Sequence, residues 1–387
     1  MKSFRTVLFW VHLAVGAAAG VVIFIMSVTG VALTYEKQVI EWADLGEWSA
    51  PADADTHLPP ETLIAAAAAA RPEKPVVGLT LRSDAAAPAT VTFDGNTALL
   101  IDPYTAAIIG PPPSGLRTFF RTMTLWHRYV SLEGASRATG KAITGAANLG
   151  FLFLVVSGLY LWCPRVWTRI QFRNVLWFRR GLSSKARDFN WHNAIGFWSC
   201  VPLAIIVAGV VPISYSWGNT LVYRMTGDIP PPPAARPAPA AEQKPLVYRA
   251  EGLNASWQAA IGAVPAWRTI TTRLATNANA PIVLTVDEGY GGQPHLRRTL
   301  SFDRASGALA KNEGFETLSP GRRVRSWLRF AHTGEFYGLA GQTIAGLASL
   351  GGAFLVYTGI ALALRRLTSW IARRNSPSAA AERARAA

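Results

Sequence analysis

Four of the six histidines in this 387-residue chain stand in matched settings. His12 follows Trp10 and Val11, and His192 follows Trp191, each at the start of a long apolar run. His127 follows Leu125 and Trp126, and His332 follows Phe330 and Ala331, each in an aromatic-rich stretch leading into another apolar run. Histidine at the edge of a membrane span is costly to hold and points to function. Imidazole is a ligand for haem iron, and two imidazoles on facing helices fill both axial positions. No open site is then left for oxygen, and the chemistry is electron transfer. Arg128 adjoins His127, and Arg329 lies three residues before His332. Guanidinium groups so placed could pair with haem propionates. Zinc also takes histidine, but neither matched pair has an evident Cys or carboxylate beside it. A single histidine at an interface is usually plain amphipathic surface; four at equivalent places are not read so. His57 and His295 lack such partners and read as ordinary surface residues. Cys163 and Cys200 read as packing residues.

The elements that position these histidines follow from composition. Half of the residues are hydrophobic and only 16% are charged, against roughly a quarter in soluble domains, which points to lipid. Spans need about 20 mainly apolar residues, and residues 7–33, 142–162, 195–217 and 344–364 qualify. The first is too long for the core of a signal peptide. Net charge is +15, but its placement carries the information. Lys2 and Arg5 precede the first span. Arg165, Arg169, Arg173, Arg179, Arg180, Lys185 and Arg187 lie between the second and third, and Arg365, Arg366, Arg373 and Arg374 follow the fourth. Four crossings bring all three clusters to one side, which the positive-inside rule makes the cytoplasm. The charge therefore reports orientation and lipid contact, and no nucleic-acid partner is expected. His12 and His192 then fall at the inner face and His127 and His332 at the outer, so the expected pairs are His12 with His192 and His127 with His332.

Two segments remain outside. In the first, residues 60–71 read as an Ala-rich helix, with strand-like runs at 76–81, 90–93 and 98–101. In the second, residues 255–262 read as a helix, with strands at 267–274, 282–286 and 297–302. β-Branched runs bounded by Gly, Asn and Asp support the strands, and a helix on a three-strand meander makes a small α+β unit. Residues 230–239, rich in Pro and Ala, read as a stiff linker. The spans also carry matched marks: Thr29 with Gly30, Ser157 with Gly158, Ala208 with Gly209, and Thr358 with Gly359. The expected fold is an α-helical integral membrane protein with four transmembrane helices, two small periplasmic α+β domains and an internal two-fold repeat. Its expected divisions are helix 1 at 1–35, the first outer domain at 36–115, the outer His segment with helix 2 at 116–164, and a basic loop at 165–190. Helix 3 follows at 191–217, the second outer domain at 218–320, the second His segment with helix 4 at 321–366, and a tail at 367–387.

These features together resemble the PepSY-associated transmembrane family of iron-regulated membrane proteins. The resemblance rests on His12 with Ser27, Val28, Thr29 and Gly30; on Trp126, His127 and Arg128 with Ser157, Gly158 and Trp162; on Asn190, Trp191 and His192; and on His332, Thr333, Gly334, Tyr337 and Gly338 with Thr358 and Gly359. It covers almost the whole chain, and the two outer units look like PepSY domains. Relatives of the ferrisiderophore reductase type imply a bacterial inner-membrane protein that holds two b haems and passes electrons outward to Fe(III) in a siderophore. Carried over, the resemblance makes His12, His127, His192 and His332 haem-iron ligands. No Gly-rich dinucleotide fingerprint follows a strand, so a separate cytoplasmic or membrane electron donor is expected. No acid–base constellation is evident, and the catalytic residues stay unassigned. Two other readings are a siderophore permease and a non-redox regulator that binds another protein. Four spans without a buried carboxylate or a broken helix argue against the permease.

Overall fold

The computed structural model describes residues 2–46, 48, 50, 56–163, 168–232, 248–277 and 279–374. Most of the expected linker, at 233–239, lies outside the described residues, as do Arg165 and the tail beyond Arg374.

Four long helices form the membrane part: α1 (Lys2–Leu33), α5 (Arg137–Trp162), α7 (Ser184–Ser214) and α11 (Gly338–Arg374). Between them come α2 (Glu36–Leu45), α3 (Pro60–Ala70), α4 (Ser114–Tyr129), α6 (Arg169–Leu176), α8 (Ser216–Met225), α9 (Leu253–Ala263) and α10 (Pro320–His332). The four long helices run past the apolar windows because their charged ends stay helical outside the span. Each is long and apolar enough to cross a membrane. Their outward faces carry Val7, Val21, Phe24, Val156, Val201, Leu347 and Tyr357, all exposed. An apolar surface this wide is stable only in lipid, and the chain is a multi-pass membrane protein. In the bundle, α1 and α7 each pack on α5 and α11. Close packing rests on small residues: a Cβ at Gly352 would come within 3.0 Å of Ser27, and one at Gly346 within 2.9 Å of Thr34.

One eight-stranded antiparallel sheet caps one end. Its strands are β1 (Val76–Arg82), β2 (Ala89–Phe93), β3 (Thr97–Ile101), β4 (Ile108–Gly110), β5 (Thr269–Arg273), β6 (Ile282–Asp287), β7 (Arg297–Phe302) and β8 (Leu309–Gly314), in the order β4-β3-β2-β1-β5-β6-β7-β8. The two outer segments, expected as separate units, thus share a sheet through the β1–β5 pair. Leu79 stands opposite Thr272 there, and Leu81 opposite Ile270. Gly78 permits the junction: a Cβ on it would lie 2.7 Å from the carbonyl oxygen of Thr272 and 2.9 Å from the Thr92 hydroxyl. Alternate residues point to one buried face, Ala89, Val91 and Phe93 from β2 and Ile282, Leu284 and Val286 from β6. Leu63 and Ala67 of α3 and Trp257 and Ala260 of α9 cover that face and complete a single core. Each half adds a fourth strand beyond the expected three. The first four residues of β8, Leu-Ala-Lys-Asn, are exposed, so backbone pairing at the edge makes it a strand without apolar alternation.

Helices α4 and α10 lie between sheet and bundle, α4 against α1 and α5, α10 against α7 and α8. The buried Asp44 of α2 accepts from Arg117 Nη2 of α4 at 2.8 Å, forms an ion pair with Arg117 Nη1 at 2.7 Å, and lies 3.9 Å from Arg82 of β1. That cluster ties the sheet to the helix bearing His127.

Candidate functional site

Each of the four matched histidines is fixed through Nδ1 by a neighbouring long helix. His12 of α1 lies 2.8 Å from Ser157 Oγ of α5, and His192 of α7 lies 2.9 Å from Thr358 Oγ1 of α11. His127 of α4 lies 3.0 Å from Thr29 Oγ1 of α1. His332 of α10 lies 2.8 Å from the carbonyl oxygen of Ile206 of α7. The proton's position follows from the second bond of each partner. Ser157 donates to the carbonyl of Phe153 at 2.6 Å, Thr29 to Ile25 at 2.6 Å and Thr358 to Phe354 at 2.8 Å. Their hydroxyl protons are committed, so each oxygen accepts from the ring; a carbonyl can only accept. All four rings therefore carry their proton on Nδ1 and keep the Nε2 lone pair for a metal.

The glycine after each hydroxyl makes room for its ring. A Cβ on Gly30, Gly158 or Gly359 would lie 3.4 Å from Cε1 of His127, His12 or His192 respectively. On Gly209 it would lie 2.7 Å from the carbonyl oxygen of Leu328 and 3.3 Å from His332 Cβ, so α10 rests on the bare backbone of α7. Pro212 further along α7 cannot donate to the carbonyl of Ala208, which loosens the helix there. In the preceding turn, Ile206 accepts from His332, and Val207 accepts from the buried Asn148 at 3.0 Å.

At the sheet end the His127 and His332 rings meet, with centroids 6.3 Å apart and planes inclined by 49°. Two rings at this spacing would be able to hold a metal between their Nε2 atoms. Burial pushes the His127 pKa down to about 4, with the charge of His332 adding to the effect. Burial lowers that of His332 as well. Both rings are therefore neutral at pH 7. His192 and His12, toward the other end of the bundle, are within electrostatic reach of each other. The two levels are separated by about 25 Å of α1 rise between His12 and Thr29. No group of three or more His, Cys, Asp or Glu side chains able to hold a metal occurs among the described residues. Two imidazoles at each level are what the protein would contribute to a metal held there.

Arg128 and Arg329 are exposed beside the sheet-end pair, over the Tyr129 and Phe330 rings at 5.5 and 5.4 Å. Both act electrostatically on His332. His57 packs on Tyr104 and His295 on Phe336, at ring distances of 5.0 and 4.7 Å, rather than on the matched histidines. Cys163 and Cys200 are free thiols. Near the other pair, the buried Asp188 binds Arg187 at 3.0 Å and Arg365 at 2.8 Å. Asn190, two residues before His192, accepts from the Arg179 amide and donates to the Trp177 carbonyl. These bonds seat a loop whose Arg173, Trp177, Phe178, Arg179 and Arg180 line a cavity of about 730 Å³. The Ser/Thr-Gly pairs are visible in the sequence, but the partners of Thr29, Ser157 and Thr358 are distant in the chain and are set by the fold.

A search of curated proteins found none that matches this chain. A family model described as the PepSY-associated TM region matches residues 9–366. With four long apolar helices bracketing the paired imidazoles, the chain belongs to the PepSY-associated transmembrane family.

Proposed function

We propose that this protein holds two b haems, one ligated by His12 and His192 and one by His127 and His332. In this reading it carries electrons across a bacterial inner membrane to reduce Fe(III) in a siderophore outside. The observation that carries the reading is the His127–His332 pair: rings 6.3 Å apart, each bound through Nδ1 with Nε2 free. When bound, haem supplies one-electron chemistry at a potential set by its surroundings. The protein's part is to hold four neutral imidazoles in one tautomer, to exclude water, and to present Arg128 and Arg329 to the propionates. Matched Nδ1 contacts in both halves support a two-fold repeat. The positive clusters support termini and basic loop in the cytoplasm and the sheet in the periplasm. A separate donor delivers electrons at the loop cavity of Arg173, Arg179 and Arg180. Release follows reduction, because Fe(II) is held far less well by hard oxygen ligands built for Fe(III).

The test is spectroscopic. Detergent-purified protein should show a Soret band and low-spin signatures of two haems. His12→Ala or His192→Ala should remove one haem, and His127→Ala or His332→Ala the other. Full haem content in all four variants would end the assignment. Dithionite-reduced protein, mixed anaerobically with ferric siderophore, should reoxidise as Fe(II) appears on a chelator. Haem that stays reduced would point to another acceptor.

A further inference from the structure

The side of the bundle that carries the sheet has an arginine excess that topology does not explain. Helix α4 holds Arg117, Arg121 and Arg128, and α10 holds Arg322, Arg323, Arg325 and Arg329, with no Asp or Glu in either helix. Lys and Arg near span ends are biased toward the cytoplasmic side, so seven arginines on the face proposed as outer need another cause. Among the described residues, Arg117 is the one of these paired with a carboxylate, Asp44. Arg121, Arg128, Arg322, Arg323, Arg325 and Arg329 are all exposed. Arg121 and Arg322 have no hydrogen-bond or ion-pair partner among the described residues. Along α10 the spacing of Arg322, Arg325 and Arg329 puts one stripe on the helix, and it continues into His332. Arg121 and Arg128, seven residues apart on α4, share a face in the same way. These are the two helices whose histidines meet at 6.3 Å.

Lipid headgroups attract arginine too, but the neighbouring helix shows what a lipid-facing surface looks like here. α8 exposes Trp217, Leu221 and Met225 with the single arginine Arg224, whereas α10 exposes its four arginines and, among large apolar residues, only Val324. A row of exposed guanidinium groups beside a buried histidine pair attracts multiply charged anions and steers them to it.

We propose that Arg121 of α4 and Arg322, Arg323 and Arg325 of α10, the exposed arginines not given to propionates, form a docking surface for a soluble, multiply anionic ferric chelate. The acceptor class is thereby narrowed to negatively charged complexes such as ferric catecholates and carboxylates. This rests on the reductase reading for turnover, but docking itself can be measured apart from it.

The experiment uses haem-loaded full-length protein in phosphatidylcholine nanodiscs. Redox-inert gallium(III) tris-catecholate, a trianion, is titrated by calorimetry. In parallel, reduced protein is mixed by stopped flow with a ferric trihydroxamate bearing carboxylate groups or with one bearing an ammonium group, so that both acceptors share one iron ligand set and differ in charge. The gallium trianion should bind, and the carboxylate-bearing ferric chelate should reoxidise the haem on the order of tenfold faster than the ammonium-bearing one, with the advantage shrinking as salt rises. Arg121→Gln combined with Arg322→Gln should weaken gallium-complex binding by roughly fivefold to tenfold and leave the Soret spectrum unchanged. Binding without reoxidation would uphold the docking surface and reject the reductase reading. Reoxidation at equal rates for both chelates, or gallium binding unaltered by the double substitution, would reject the docking surface and spare the reductase. A charge preference that disappears in phosphatidylglycerol nanodiscs, with the variant altering only that lipid dependence, would assign the arginines to headgroups instead.

Discussion

At the scale of single residues, the unit of design is a histidine, a hydroxyl from another helix, and the glycine that follows the hydroxyl. Ser157 with Gly158 serves His12, Thr358 with Gly359 serves His192, and Thr29 with Gly30 serves His127. Each hydroxyl passes its proton to its own helix, which obliges the ring to donate through Nδ1. If this sets ligand basicity and ring orientation, Ser157→Ala and Thr358→Ala should keep both haems but bind the one at the His12–His192 level roughly tenfold to a hundredfold more weakly. Its midpoint potential should move as well. Haemin titration and redox potentiometry check this, and an unchanged affinity and potential would mean that the hydroxyls only fill space. Ser157→Thr, which retains the hydroxyl, should restore the wild-type potential if its methyl is accommodated.

At the scale of elements, the decisive joints are those where a short helix seats a histidine on a long one. The α10–α7 joint depends on Gly209, since any Cβ there collides with the Leu328 carbonyl. Gly209→Val should therefore lift α10, break the His332–Ile206 bond and lose the haem proposed at the sheet end, while the one proposed at His12–His192 keeps its spectrum. Reduced-minus-oxidised difference spectra would show half the wild-type amplitude; full amplitude would mean that α10 finds another seat. The α4 side has a comparable restriction. Val130 and Ser131 follow its last turn with φ of 51° and 58°, a region unfavourable for a β-branched residue. A Cβ on Gly140 would strike the Tyr129 carbonyl, at 2.1 Å. The turn after His127 is thus packed tightly against the start of α5.

For the molecule as a whole, the sheet makes one body of two chain segments nearly two hundred residues apart. Besides the β1–β5 pair, helices α3 and α9 cap each other: Asn254 Oδ1 accepts from the Glu61 amide at 3.0 Å, and Glu61 Oε1 accepts from the Asn254 amide at 3.1 Å. Asn254→Ala removes a cap worth about 1 kcal/mol and should lower the thermal midpoint of the sheet without changing haem content; differential scanning fluorimetry beside the Soret band separates the two. Orientation is tested at this scale too. Reporters fused after Ala387 should act only in the cytoplasm, and reporters within residues 233–239 only in the periplasm. Periplasmic activity at the C-terminus would reverse the direction assigned to the electrons.

Much of this was legible in the sequence, for physical reasons. A span must bury about 20 apolar residues in succession and leave its charges at the ends, so length and composition mark α1, α5, α7 and α11 by themselves. Strands with one buried face alternate, which exposes β2 and β6 to inspection. The four histidines stood out because polar rings at span edges are costly and these recurred in matched company. Tertiary structure alone decided what depends on distant partners. Pairing between β1 and β5 is a contact of two strand edges, and nothing in either run names its partner. The strand β8 exists through backbone bonds that its exposed side chains do not reveal. Which hydroxyl meets which imidazole depends on the order of helices around the bundle. That order, set by how small residues let α1 and α7 approach α5 and α11, turns Ser157, Thr29 and Thr358 from marks of a pattern into the partners of particular rings.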